Sequence, residues 1–192
     1  MPRGVYVIAT TDGLGVREEF SCAPGPSGWR YVSSRSDGVG IDLTLQADGR
    51  PYRLEIRCGP ETLRGGVAGP TLMWSTALGA YETPAAAFVA PSPAFLVATA
   101  RLLNGGRAMA GPLTLTLAEV TLPSLAVLTV RQRWYPAGHE EHATDLGPLR
   151  VQAWHVDDPD TGARRTVHLA GDVVVAADDV TLVDLDGPPH HA

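Results

Sequence analysis

The sequence predicts a mainly β fold in which a single curved antiparallel sheet, an open or half barrel, wraps one central apolar helix. Three observations predict it. Apolar and polar residues alternate over many short runs, the period-2 mark of strands with one buried and one wet face. Asp-Gly pairs and clusters of Pro, Asp and Gly recur between those runs, supplying hairpin and turn geometry. Only residues 92–103 combine helix-start and helix-stop signals, and they are apolar around most of the circumference, which calls for enclosure on nearly every side.

The elements follow in chain order. The apolar run at the start is short and gives way to Thr11-Asp12-Gly13, too brief for the core of a signal peptide, so a cytoplasmic location is expected. Gly28-Trp29-Arg30 begins an early strand. In residues 39–58, Ile41, Leu43 and Leu45 oppose Asp42, Thr44 and Gln46. After Ala47-Asp48-Gly49-Arg50, Tyr52, Leu54, Ile56 and Cys58 alternate with Arg53, Glu55 and Arg57, which makes a hairpin. In the helix, Ser92 is a good N-cap, Pro93 suits the first helical position, and Asn104-Gly105-Gly106 supplies the stop. Leu113, Leu115 and Leu117 pair with residues 125–134 around the corner Leu122-Pro123-Ser124. Residues 149–156 and 164–169 form a further hairpin across residues 157–162, and two short strands follow at 173–176 and 180–185. One domain spans 1–186, and the tail 187–192 is expected to fray.

Composition narrows the function. With 192 residues, 44% hydrophobic and 19% charged, the chain can build a core without disulfide or metal staples. Cys22 and Cys58 read as small strand residues rather than a disulfide. The formal net charge is -6 and the 15 basic residues, all arginine, are scattered, so no nucleic-acid partner is expected. The longest apolar stretch, 85–103, is broken by Pro91 and Pro93 and falls short of an integral membrane segment.

Catalytic patterns are missing. There is no Gly-x-Ser-x-Gly elbow, Gly13-Leu14-Gly15 lacks the third glycine and the following helix, and Gly65-Gly66 has no Lys-Ser or Lys-Thr after it. The expectation is a non-enzyme without a cofactor. His139-Glu140-Glu141-His142 has metal-ligating residue types, but the His spacing is three rather than four and the stretch reads as a solvated hairpin end. A metal-dependent enzyme at His139 and His142 is therefore only a second alternative. The acidic turn at Asp157-Asp158-Pro159-Asp160 lacks the Gly and closing Glu of a calcium loop.

A curved sheet facing an apolar helix leaves a concave space where small molecules bind. Trp74, Phe88, Phe95, Leu96, Leu103 and Trp134 are the expected lining, with Arg101 or Arg133 meeting a polar head. The first alternative is a structural or interaction protein, its core filled by its own side chains and its strand edge pairing with a partner.

Four stretches carry a resemblance: Gly28-Trp29-Arg30, Asp48-Gly49-Arg50-Pro51-Tyr52-Arg53, Ser92-Pro93-Ala94-Phe95 and Gln132-Arg133-Trp134. With the pattern of elements, they resemble the bacterial lipoprotein-carrier-like and glycolipid-binding group, over most of the chain. The resemblance implies an unclosed antiparallel barrel around a helical plug, and a lipid-like or glycolipid-like hydrophobic ligand; it implies no catalytic residue.

Overall fold

Alternating runs become strands because each can bury one face and wet the other. The computed structural model describes residues 1–10, 13–25, 28–105, 111–144 and 147–190. Eight strands precede the helix region: β1 (Arg3–Ile8), β2 (Val16–Gly25), β3 (Gly28–Arg35), β4 (Val39–Gln46), β5 (Pro51–Cys58), β6 (Glu61–Ala68), β7 (Thr71–Thr76) and β8 (Gly79–Thr83). A two-residue strand, β9 (Phe88–Val89), leads into helix α1 (Pro93–Asn104). Six more strands follow: β10 (Leu113–Val120), β11 (Val127–Thr144), β12 (Gly147–Asp157), β13 (Arg164–Ala170), β14 (Val173–Ala177) and β15 (Val180–Asp186).

The fifteen strands among the described residues join one sheet, in the order β8-β7-β6-β5-β4-β3-β2-β1-β15-β14-β13-β12-β11-β10-β9. Neighbours in the sheet are thus neighbours in sequence, with one exception: β1 pairs antiparallel with β15, from Arg3 opposite Asp186 to Ile8 opposite Val180. That seam lies mid-sheet, and the open edges come from the middle of the chain. β9 joins β10 in parallel through Ala118 opposite Phe88. The architecture is the predicted open, curved β sheet around one helix.

Inside the sheet, α1 buries every residue of its first two turns and Leu103 besides. Its start is fixed by Ser92, whose Oγ accepts from the Ala94 amide at 3.3 Å. Each large side chain such as Phe95, 1% exposed, contributes about 1.5–3 kcal/mol by leaving water. The polar interior residue Thr99 returns its hydroxyl to the Phe95 carbonyl at 2.8 Å. Outer faces carry charge: Glu55 accepts from Arg64, Arg57 and Arg53, and these guanidinium groups hold its carboxyl down at about 2.

Three details depart from the sequence expectations. The 39–58 hairpin forms, but a register shift between Thr44 and Leu45 sets Leu45 opposite Pro51. Pro51 takes the inward place and Tyr52 is 67% exposed. β11 does not end near Trp134; it runs on to Thr144, since the Pro136-Ala-Gly138 break is absorbed as a bulge, with Gly138 at φ 116°. The tail does not fray at 187–190: the His190 amide donates to Asp172 Oδ1 at 2.7 Å, and the His190 ring lies 3.2 Å from Oδ2. Residues 191 and 192 lie outside the described residues, as do Thr11, Asp12 and Gly106 of the expected turn and helix stop.

Candidate functional site

The two ends of α1 differ in how they are filled. At its N-terminal end the interior is solid. Trp74 packs edge-on to Phe88 with ring centroids 6.3 Å apart and stacks on Tyr81 at 5.7 Å, while Trp134 lies 6.0 Å from Trp154. Phe88, Phe95, Leu96, Leu103 and Trp134 are all core residues. A gap of about 30 Å³ touches Phe95, Leu96 and Trp134, room for little more than a water.

Polar groups pin this end in place. Glu18 is fully buried and accepts from Ser92 Oγ at 2.7 Å and Tyr31 Oη at 2.9 Å, which ties β2 and β3 to the helix cap. Arg35 reaches the Pro91 carbonyl and pairs with Asp37 at 2.7 Å. Burial pushes the Glu18 carboxyl above its ordinary range, against the surrounding hydroxyls and Arg35, which pull it down.

The C-terminal end opens into a cleft of about 620 Å³. One wall is the last turn of α1, with Ala100, Arg101, Asn104 and Gly105. The opposite wall is the distal part of the β11–β12 hairpin, with Glu141, Pro148, Arg150 and Gln152. Ala47 and Gly171, from the β4–β5 and β13–β14 turns, and Leu169 of β13 complete the lining. Past the bulge, β11 pairs only with β12, and from Glu140 opposite Val151 outward the hairpin is a two-stranded ribbon that no other strand flanks among the described residues. Register decides what it presents. Glu141 lies opposite Arg150, and Gln152 opposite His139, so these four share the face toward the cleft.

Of the expected ligand residues, Arg101 alone lines the cleft. Arg133 is exposed beside Asp157 and Arg164 in a shallow surface depression. His139 and His142 lie in a strand rather than a loop, and three strand positions apart they point to opposite faces, so they do not converge on one ion. His142 faces Glu140 at 3.5 Å. Among the described residues no group of three or more His, Cys, Asp or Glu is placed to hold a metal.

A buried polar knot underlies the cleft. Asp172, fully buried, accepts from Trp29 Nε1 at 3.4 Å, from Cys22 Sγ at 3.5 Å and from His190. The carboxylate stands between thiol and imidazole. Burial, reinforced by Asp172, pushes the Cys22 thiol far up, which leaves it protonated and a poor nucleophile. Cys22 and Cys58 are both free.

Arg150, Gln152, Glu141 and Asn104 are the polar cleft residues that sequence reasoning missed. Their signal was the alternation of residues 149–156; the matching strand across from it was hidden by Pro136 and Gly138.

With this geometry, two solved structures are similar in fold. A crystal structure of a DUF1089 family protein from Pseudomonas aeruginosa aligns with a TM-score of 0.53 at 14% identity, over 89% of this chain and 86% of that one. A β-barrel-like protein of the domain of unknown function DUF1849 from Brucella abortus aligns with a TM-score of 0.53 at 13% identity, over 96% of each chain. At such identities the likeness is one of fold, and it agrees with the half-barrel architecture. No family model and no curated protein matches the sequence. No helix among the described residues is long and apolar enough to cross a membrane.

Proposed function

We propose that the protein is a non-enzymatic binding protein for a lipid-like or glycolipid-like amphiphile, held in the cleft between the concave sheet and the C-terminal end of α1. The cleft itself carries this reading. About 620 Å³ lies within the range of small-molecule sites. Its lining divides as an amphiphile does: Ala47, Ala100, Pro148 and Leu169 offer apolar surface, and Arg101, Asn104, Arg150 and Gln152 offer polar groups. Each buried methylene would contribute about 0.8 kcal/mol, so a chain of several carbons offsets part of the cost of association. The aromatic residues around the N-terminal half of α1 serve as the rigid wall behind the site.

Native mass spectrometry of the purified protein tests this. A lipid-sized adduct is expected on the wild type and absent from Gln152→Trp, which fills the cleft from a half-buried β12 position, with the melting temperature unchanged. An adduct that persists in Gln152→Trp would place the ligand elsewhere. The alternative reading, an interaction protein, rests on β8, which is exposed almost throughout and leaves one side unpaired at the sheet edge. Analytical ultracentrifugation addresses it: self-association abolished by a proline in β8 would favour that reading.

A further inference from the structure

We infer that Arg101 and Arg150 form a subsite for the anionic head of the bound molecule, a phosphate, sulfate or carboxylate. This rests on the cleft being the ligand site. The two guanidinium groups come from opposite walls, one from the helix and one from the ribbon. Neither forms an ion pair with a described residue; Arg3, Arg50, Arg133 and Arg165 also lack one, but Arg101 and Arg150 are the two arginines that line the cleft.

The local charges do not satisfy them. Asp172 is the acid nearest in influence to Arg101, yet its oxygens are already taken by Trp29, Cys22 and His190. Arg101 is half-buried and rests over the Trp29 ring, 5.7 Å from its centroid, which positions it without giving it an acceptor. The helix C-terminus favours a cation there and accounts for part of its placement. That argument does not reach Arg150, which sits on the ribbon. Glu141, opposite Arg150, is the one carboxylate lining the cleft among the described residues; it forms no ion pair with either arginine and opposes an anion. A planar guanidinium offers paired donors to the oxygens of such a head.

Titration calorimetry on the full chain, with probes below their micelle concentrations, tests the subsite. Dodecyl phosphate is expected to bind about tenfold tighter than neutral dodecyl maltoside, and dodecyltrimethylammonium more weakly than either. Arg150→Gln, an exposed ribbon position, should remove most of that preference, weakening dodecyl phosphate several-fold more than dodecyl maltoside. Arg101→Gln should do the same, and Glu141→Gln should strengthen dodecyl phosphate binding a few-fold. Equal affinity for the phosphate and maltoside probes, or an undiminished preference in Arg150→Gln, would overturn the subsite and leave the cleft reading standing. Inorganic phosphate binding as tightly as dodecyl phosphate would keep the arginines and overturn the amphiphile. No binding of any probe, inorganic phosphate included, would overturn both.

Discussion

Glu18 is where a single residue ties the sheet to the helix, and its protonation sets a pH dependence. Its carboxyl is raised by burial, so between the ordinary glutamate range and that raised value the folded state holds a proton that the unfolded state has lost. Stability from this group is therefore fully present at acid pH and falls as pH rises through that window. Glu18→Gln keeps an uncharged partner for Ser92 and Tyr31. The melting temperature of the variant relative to wild type should rise as pH increases from the ordinary glutamate range upward; a constant difference would show that Glu18 does not change charge there.

Gly49 makes a second case at the same scale. It has φ 82° in the β4–β5 turn, and a Cβ there would lie 2.4 Å from Leu102 Cα on α1. Gly38 has nearly the same φ, 84°, with open space around it. Gly38→Ala should cost only the left-handed strain, about 1–2 kcal/mol. Gly49→Ala should cost that plus about 1–3 kcal/mol of overpacking, because helix and turn must separate. Chemical denaturation of both variants measures the difference, and equal losses would mean that α1 does not seat on this turn.

Among the elements, the ribbon formed by the distal β11–β12 hairpin stands apart. Two strands without flanking partners are marginally stable in water, whereas β3 to β5 are paired on both sides and packed on the core. Amides in residues 139–144 and 147–151 should exchange with solvent at least tenfold faster than those of β4, and should slow when a ligand occupies the cleft. Equal protection in the two regions would show the ribbon to be as firm as the sheet.

This element also marks how far the sequence could be read. Periodicity placed α1 to within a residue at either end, because Ser92, Pro93 and Gly105 are local signals. It placed the β4–β5, β10–β11, β12–β13 and β14–β15 hairpins as well, since their inward residues alternate, but not β6 to β8. Tyr52 was assigned to the wrong face because a bulge changes parity without changing composition. The cleft was hidden for a related reason: residues 136–144 hold too few apolar side chains to register as a strand, and their partner strand alone orders them. The aromatic residues pointed to the interior, correctly, but an interior that they fill themselves.

At the scale of the molecule, the seam between β1 and β15 brings the chain ends side by side, with Gly187 packed against Met1 and Pro2. A circular permutant that links the ends and opens at the exposed Leu78, between β7 and β8, should retain cooperative unfolding and the same β-sheet circular dichroism. Truncation after residue 178, which removes β15, should abolish both. A permutant that fails to fold would mean that continuity from β7 to β8 is needed to set the sheet edge.

The seam has a further consequence for a chain made from one end to the other. β1 emerges from the ribosome long before its mate β15, and until β15 arrives one flank of β1 stays bare. Throughout that interval Tyr6 and Ile8 have no lasting cover from the later half, and the nascent protein presents an adhesive border to every passing strand. The stretch of synthesis before β15 docks is thus the one in which this border lies open, and dependence on helper proteins should concentrate there.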